Sequence, residues 1–277
     1  MLETRQFTYQ PKIVKASVNT DPGCVREANE DSGRHLIPND AETQLKRGTL
    51  TVIADGMGGH ASGEVASQMA VELISRYYYA DEENSVPVAL QNAIQLANAE
   101  IYQTSVSDEK YYGMGTTVIV LVLLDRAGYS AHVGDSRLYR LRGTNFEQMT
   151  MDHSQVMEMY KQGIISWEET KDHDDKNVIL RAVGTQKQVE VEISEGFELG
   201  PDDEFLLCSD GLCDMLADEE IYRIWLNAED IHEASEKLIE RAKENGGHDN
   251  ITVAVVKVEQ EILPARAIPA TRELKGV

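Results

Sequence analysis

Apolar residues alternate with polar ones, or run together without a break, in several short stretches of the chain. Both patterns are typical of β-strands with one or two buried faces. We therefore predict strands over residues 12–20, 49–54, 116–124, 129–133, 136–141, 189–193, 204–209 and 251–259. The pattern from 129 to 141 is divided at Gly134-Asp135, because a glycine beside an aspartate interrupts an otherwise continuous strand.

Three longer stretches carry apolar residues three or four positions apart, the spacing of one face of an amphipathic helix. They predict helices over residues 63–79, 86–104 and 230–245, the last of which stops at Gly246-Gly247. Two long helices adjacent in sequence and a late third one accompany many strands with hairpin-type links. This order favours an α+β fold of antiparallel sheets covered by helices over a parallel sheet.

The pattern weakens between residues 151 and 177. A short helix near 154–161 is followed by a capping-box start, in which Ser166 stands three residues before Glu169. We interpret this segment as a small surface subdomain.

The length of 277 residues and the hydrophobic fraction of 42% fit one large globular domain. We expect this domain to span residues 1–263. Residues 264–277 contain two prolines and lack periodicity, which predicts a flexible tail or a docking segment.

The chain is strongly acidic, with a formal net charge of -22 and a pI near 4.6. Such a surface repels phosphate groups, so we expect neither a nucleic-acid partner nor a membrane partner. Three cysteines without a CxxC pair indicate neither a disulfide framework nor a zinc site. The chain also lacks a basic segment followed by an apolar one at its start and any run of roughly 18 apolar residues. We expect a monomeric, cytoplasmic protein.

Four aspartates stand where an apolar, strand-like run meets a glycine or an asparagine: Asp55, Asp135, Asp210 and Asp249. Taken singly, an Asp-Gly pair is most simply a β-turn. Taken together, they are better explained as carboxylates held by rigid backbone at the rim of a core, where hard metal ions are usually bound.

Three of these carboxylates, Asp55, Asp210 and Asp249, adjoin apolar strands and have no lysine or arginine beside them in sequence. Burying them near one another costs several kcal/mol each unless a cation compensates. Carboxylate, carbonyl and water ligands suit Mg²⁺ or Mn²⁺, and two such ions can activate a shared water for attack on phosphorus. Asp55 is the best bridging candidate, because Gly56 lets a backbone carbonyl approach an ion.

Upstream, the segment from Arg26 to Asp31 offers a guanidinium and further carboxylates, including Glu30. The planar fork of arginine suits a phosphate dianion. In isolation this segment reads as an ordinary charged turn, and only its occurrence together with the aspartates favours a phosphate site.

Seven motifs resemble, in order and at about the same spacing, those of the bacterial PP2C-type (PPM) metal-dependent protein serine/threonine phosphatases. They are Arg26-x-x-Asn29-Glu30-Asp31, Asp55-Gly-Met-Gly-Gly-His60, Gly115-Thr-Thr117, Gly134-Asp-Ser-Arg137, Asp152-His-Ser154, Ser209-Asp-Gly211 and Gly247-His-Asp-Asn250. The resemblance spans nearly the whole chain. It implies a four-layer α-β-β-α sandwich with the metals at one end between the sheets, and it identifies residues 151–177 with the family's mobile flap.

The same resemblance implies a role for each matching residue. Asp55, Asp210 and Asp249 match the ligands of one metal, and Glu30, Asp55 and the Gly56 carbonyl match those of the other. Asp31 matches a ligand that acts through metal-bound water, Asp135 with Asp210 matches a weaker third site, and Arg26 matches the phosphate-binding arginine.

One position departs from the eukaryotic pattern: Met57 stands where those members carry a histidine that is often assigned as the general acid. His60 or a water on a third metal is the alternative. His153 and His248 do not form a serine-hydrolase triad, because the chain has no G-x-S-x-G elbow and Ser154 opens a helix pattern. We expect His248 to orient Asp249.

The function implied is hydrolysis of phosphoserine and phosphothreonine in proteins by direct attack of a metal-bridged hydroxide, without a phosphoenzyme. The cofactors implied are two Mn²⁺ or Mg²⁺ ions, and the partners are phosphorylated proteins and a cognate serine/threonine kinase. The alternative is a binding module that keeps the fold without catalysis, which would be expected to have lost a ligand. A nucleotide-hydrolysing function is excluded, since no G-x-x-x-x-G-K-[ST] motif is present.

Overall fold

Two antiparallel sheets form the centre of the structure, a computed structural model that describes residues 13–58, 62–200 and 202–259. The strands, in chain order, are β1 (Ile13–Asp21), β2 (Asp31–Leu36), β3 (Thr49–Met57), β4 (Gly115–Thr116), β5 (Val118–Leu124), β6 (Ala127–Val133), β7 (Arg137–Arg142), β8 (Asn145–Gln148), β9 (Glu192–Ile193), β10 (Phe197–Glu198), β11 (Glu204–Cys208) and β12 (Ile251–Glu259). The helices are α1 (Ala41–Arg47), α2 (Ser62–Ala80), α3 (Val86–Ser107), α4 (Gln155–Lys161), α5 (Trp167–Lys171), α6 (Asp210–Cys213), α7 (Asp218–Leu226) and α8 (Ile231–Glu244).

One sheet has the order β1-β12-β11-β7-β8 and the other the order β10-β6-β5-β3-β2, with β4 paired to β3 and β9 paired to β6. The pairings are antiparallel throughout. Three apolar clusters fill the spaces between the layers. The first lies between β3, β5, β6 and the helices α2 and α3, the second between the two sheets, and the third between β7, β11, β12 and the helices α6, α7 and α8. The predicted α-β-β-α sandwich is confirmed.

The central strands are apolar on both faces because each face meets a different cluster. On β3, Val52 and Ala54 face α2 and α3, whereas Ile53 between them faces the other sheet. On β12, Val255 and Val256 divide in the same way. Side chains alternate along a strand, so a strand between two buried layers is mostly apolar on both faces.

The chain passes from one sheet to the other at Gly134-Asp135, between β6 and β7. The predicted break at this point is thus confirmed. Gly134 has φ +108°, and a Cβ there would lie 2.6 Å from the Thr117 side chain, so the position requires glycine.

Several elements differ from the sequence prediction. The strand predicted over 189–193 is only the two-residue β9, which pairs only with the end of β6, where a longer ladder does not form. Strands β2, β8 and β10 and helices α1, α6 and α7 were not predicted. Strand β2 lies at the edge of its sheet and carries polar residues such as Arg34 and His35, which hide the alternation.

Residues 151–177 contain α4 and α5, which touch through the Tyr160 and Trp167 rings. The predicted capping box between Ser166 and Glu169 is present, with the two hydrogen bonds that define it. The predicted tail, residues 264–277, lies outside the described residues. Within the described ranges, the helices are too short or too polar for any of them to cross a bilayer.

Candidate metal centre

The predicted carboxylates meet at one end of the two sheets. Asp31 and Asp55 are paired neighbours on β2 and β3. Asp135 follows the crossover between the sheets, and Asp210 begins α6. The charges of Asp31, Asp135 and Asp210 all act on Asp55, and Asp249 acts on Asp31 and Asp210. Side chains far apart in sequence therefore share one site.

Asp55 is fixed by the two threonines after α3. Its N–H donates to Thr117 Oγ1 at 3.1 Å, and its carbonyl accepts from Thr117 N–H at 2.9 Å and from Thr116 Oγ1 at 2.8 Å. The next residue, Gly56, donates its N–H to the Glu30 carbonyl at 3.2 Å. A Cβ on Gly56 would lie 2.5 Å from that carbonyl oxygen, so only glycine permits this approach.

Ser209 and Asn250 hold the remaining carboxylates. Ser209 Oγ donates to Asp31 Oδ2 at 2.8 Å and accepts from Thr252 N–H at 3.0 Å. Asn250 Oδ1 accepts from Glu30 N–H at 2.8 Å, and Asn250 Nδ2 donates to the Ala28 carbonyl at 2.9 Å. The segment that carries Arg26 and Glu30 is thereby attached to the start of β12.

Both residues occur in the sequence motifs, but the sequence analysis gave neither a role. Their only local signal is that each adjoins a candidate ligand, Ser209 before Asp210 and Asn250 after Asp249. The orienting role predicted for His248 falls instead to Asn250, whose N–H donates to Asp249 Oδ1 at 2.8 Å. His248 packs against Gly246.

The carboxylates are buried without enough hydrogen-bond donors. Burial raises the pKa of Asp31 to about 6 and that of Asp135 to about 7, and it raises the pKa of Asp55 and Asp210 well above the ordinary value. One oxygen each of Asp31, Asp135 and Asp210 is buried with no hydrogen-bond partner among the described residues. Oxygen donors left in this state fit hard divalent cations such as Mn²⁺ and Mg²⁺.

Arg26 and Glu30 line the rim of the site. Arg26 Nη2 donates to Asp249 Oδ2 at 2.7 Å, and both side chains are well exposed. Burial raises the pKa of Glu30, while Arg26 and the Gly63 N–H oppose the rise. All the predicted metal ligands and Arg26 lie at this end of the sandwich. His60, the alternative general acid, lies outside the described residues.

A cavity of about 300 Å³ adjoins the centre. Asp135 and Asp210 form part of its wall, and Trp167 and Lys176 of the 151–177 segment form another part. Lys176 Nζ lies 3.6 Å from Asp214 Oδ1, just beyond α6. The segment therefore borders the same site as the carboxylates.

A second cluster, His132, His153 and Glu192, has ligand atoms within 4.8 Å of one another. It is a poor metal site on chemical grounds. His153 Nδ1 accepts a hydrogen bond from Gly134 N–H at 3.1 Å, so in the neutral ring the proton is on Nε2, which faces Glu192 Oε2 at 3.3 Å. Arg181 Nη1 lies 3.3 Å from the same Nε2, so a positive charge already stands where a cation would bind. Burial and the neighbouring His132 lower the pKa of His153 to about 4, so the ring is neutral.

Comparison with known proteins shows one consistent set of relatives. The family model described as protein phosphatase 2C matches residues 37–245. The chain is 37% identical to the serine/threonine phosphatase stp of Listeria monocytogenes over 246 residues, 87% of this chain and 95% of that protein.

Solved structures agree. The structure resembles the serine/threonine phosphatase Stp1 from Staphylococcus aureus with a TM-score of 0.82 and 32% identity, over 94% of this chain and 100% of that one. It also resembles the catalytic domain of the phosphatase PstP in complex with two manganese ions, with a TM-score of 0.75 and 32% identity, over 90% of this chain and 100% of that one.

Proposed function

The chain belongs to the protein phosphatase 2C family and is a metal-dependent protein serine/threonine phosphatase; from this premise we propose that the carboxylate cluster at the end of the sandwich is its active site. The observation that carries the proposal is the set of buried, unpartnered oxygens on Asp31, Asp135 and Asp210 around Asp55. Several buried carboxylates without donors or counter-ions are too costly to serve a purely structural purpose, so they indicate a site for cations.

The proposed ligands follow the family motifs. Asp55, Asp210 and Asp249 would hold one Mn²⁺ or Mg²⁺, and Glu30, Asp55 and the Gly56 carbonyl would hold a second. Asp31 would act through water, and Asp135 with Asp210 would hold a weaker third ion. When bound, the ions act as Lewis acids that activate water as a nucleophile and neutralise phosphate charge.

The protein's own residues prepare the site for this chemistry. Arg26 binds the phosphate of the substrate: Asp249 takes one of its five N–H donors and orients the guanidinium, which leaves other donors for phosphate oxygens. Ser209 and Asn250 keep Asp31 and Asp249 in place before the substrate arrives. A site fixed in this way needs little reorganisation during the reaction.

We also propose that residues 151–177 are a flap beside the substrate and that residues 1–263 form one phosphatase domain. The cavity between Trp167 and the carboxylates supports the flap. The substrates are phosphorylated proteins, and a serine/threonine kinase must produce them, because the reaction removes what such a kinase adds. The three unpaired cysteines fit the reducing cytoplasm, and we propose a monomer.

Phosphate release from phosphothreonine, phosphoserine and phosphotyrosine peptides tests the proposal. We expect turnover of the first two peptides with Mn²⁺ or Mg²⁺, much slower turnover of the third, and none with excess chelator. Activity that survives exhaustive chelation would contradict the assigned site.

A further inference from the structure

We propose that His153 is a positioning residue for Asp135, holding the turn that carries this carboxylate and joining it to the base of the 151–177 segment. The inference rests on the proposed function, since Asp135 is one of the carboxylates assigned to divalent cations. His153 itself is 5% exposed and lies outside the proposed ligand set.

His153 occupies both backbone groups of Gly134, the residue before Asp135. His153 N–H donates to the Gly134 carbonyl at 2.9 Å, and Gly134 N–H donates to His153 Nδ1 at 3.1 Å. The N–H of Gly134 therefore depends on one side-chain acceptor. Removing that acceptor leaves a buried donor unpaired.

Thr117 closes the opposite side of the same turn. Its side chain leaves no room for a Cβ on Gly134, and its Oγ1 lies 2.7 Å from Ser136 Oγ. Thr117 also accepts a hydrogen bond from Asp55 N–H through its Oγ1 and donates its own N–H to the Asp55 carbonyl. The turn is held between His153 and Thr117, so the position of Asp135 is set relative to Asp55.

The orientation of the His153 ring is itself fixed. The ring stacks on His132, with centroids 4.5 Å apart and an interplanar angle of 14°. Its Nε2 lies 3.3 Å from both Glu192 Oε2 and Arg181 Nη1. Because Nδ1 accepts from Gly134 N–H, the neutral ring carries its proton on Nε2, and of these two neighbours only Glu192 can accept that proton.

The same residue connects the turn to the chain that leaves the 151–177 segment. The His153 carbonyl accepts from Leu180 N–H at 2.7 Å. Farther on, Val183 exchanges two backbone hydrogen bonds, of 2.9 and 2.8 Å, with Thr116 beside Asp55. The segment is therefore anchored at one end next to Asp135 and at the other next to Asp55.

Calorimetric titration of the metal-free full-length protein with Mn²⁺ tests the proposal. His153→Phe keeps a stacking ring but loses the acceptor, and we expect the weakest Mn²⁺ site to lose about tenfold or more in affinity. His153→Asn keeps an acceptor near the position of Nδ1 and should stay within about threefold of the wild type. The matched control is His132→Phe, which alters the other ring of the stack, whose Nε2 bonds the Met151 carbonyl at 3.0 Å and not Gly134.

The outcomes separate this inference from the proposed function. Wild-type binding with unchanged affinity in His153→Phe, or an equal loss in His132→Phe, overturns the positioning role alone. A wild-type protein that binds no Mn²⁺ overturns the ligand set and the inference together. If His153→Phe does not fold, Glu192→Ala replaces it, because the Glu192 side chain is 48% exposed and its loss should not unfold the protein. A weakened Mn²⁺ site with an unchanged melting temperature then supports the proposal, and an unchanged Mn²⁺ affinity overturns it.

Discussion

Two sets of buried carboxylates in this protein have opposite surroundings. Asp203 is fully buried, but Arg142 donates to both of its oxygens at 2.7 Å and Gly200 N–H adds a bond of 2.8 Å. Asp31 and Asp135, each 7% exposed, lie in the candidate metal centre, where neither forms a salt bridge within the described ranges. The two sets share their residue type and burial but not their partners.

The pKa values of the two sets are shifted in opposite directions. Burial alone would raise the pKa of Asp203, but the hydrogen bonds from Arg142 and Gly200 outweigh burial and leave this pKa lowered. For Asp55, burial and three neighbouring carboxylates all act in the same direction, and the pKa is raised. A guanidinium makes Asp203 part of the framework, whereas the carboxylates of the metal centre have to take their positive charge from outside the chain.

The largest effect is expected from Asp55→Asn. The amide keeps the shape of the side chain but loses the charge shared by both proposed cations, so turnover should fall about 1000-fold or more. Phosphate release at saturating Mn²⁺ measures it. Because like-charge repulsion is also removed, the metal-free variant should melt at or above the wild-type temperature; a clear drop would mean that Asp55 is structural, as Asp203 is.

Arg142→Ala should have the reverse profile. Asp203 would be left buried without its counter-ion, with only the Gly200 N–H as a donor, so the free energy of unfolding should fall by about 3 kcal/mol. Urea titration measures this loss, while turnover per folded molecule should stay near that of the wild type. Adding Asp203→Asn to the variant should recover much of the stability, since the uncompensated charge is gone. No recovery would mean that the ion pair acts mainly through packing.

The pH dependence of stability should distinguish the two sets next. In chelator, the raised pKa values of Asp31 and Asp135, about 6 and about 7, mean that the folded state binds protons more tightly than the unfolded state. The resulting stability is fully present below the unfolded pKa and is lost as pH rises through these values, about 4 kcal/mol between pH 5 and 8 for the two groups together. Chemical unfolding at each pH measures it.

Saturating Mn²⁺ should reverse this slope, because protons then compete with cations for the same oxygens. Asp203, with its lowered pKa, contributes stability above the unfolded pKa and loses it only as pH falls further. A metal-free protein whose stability does not change between pH 5 and 8 would contradict the unpaired state of Asp31 and Asp135.

The smallest effect is expected from Arg26→Lys. Lysine keeps the charge but loses the planar fork, so KM for a phosphothreonine peptide should rise about tenfold with kcat little changed. Steady-state kinetics measure both. Arg142→Lys is the matched control, because Arg142 lies at the other end of β7 and donates to Asp203 at 2.7 Å. An equal rise in KM there would contradict a specific phosphate-binding role for Arg26.

The parts of the molecule that were predictable from sequence are those whose cause is local. Strand β12 matches its prediction over Ile251–Glu259, because its mostly apolar sequence reflects burial on both faces. Four candidate ligands, Asp55, Asp135, Asp210 and Asp249, were also visible, since each stands at an end of an apolar run. The segment from Arg26 to Asp31 was assigned only through the family motif.

The connections between these elements were not predictable. Asn250 donates a hydrogen bond to Ala28, 222 positions earlier in the chain. His153 accepts one from Gly134, and no pattern in the sequence around Gly134 indicates this contact. Strand β2 was missed for a related reason. An edge strand with one partner tolerates polar residues, so its position depends on β3 and not on its own pattern.

The position of β12 also has a consequence for folding during synthesis. This strand, near the end of the sequence, lies between β1 and β11 and pairs with all nine residues of β1. During synthesis, β1 leaves the ribosome long before β12 and has no partner along this edge until β12 follows. The proposed metal centre therefore cannot form before β12 has emerged, since Asp249 directly precedes this strand.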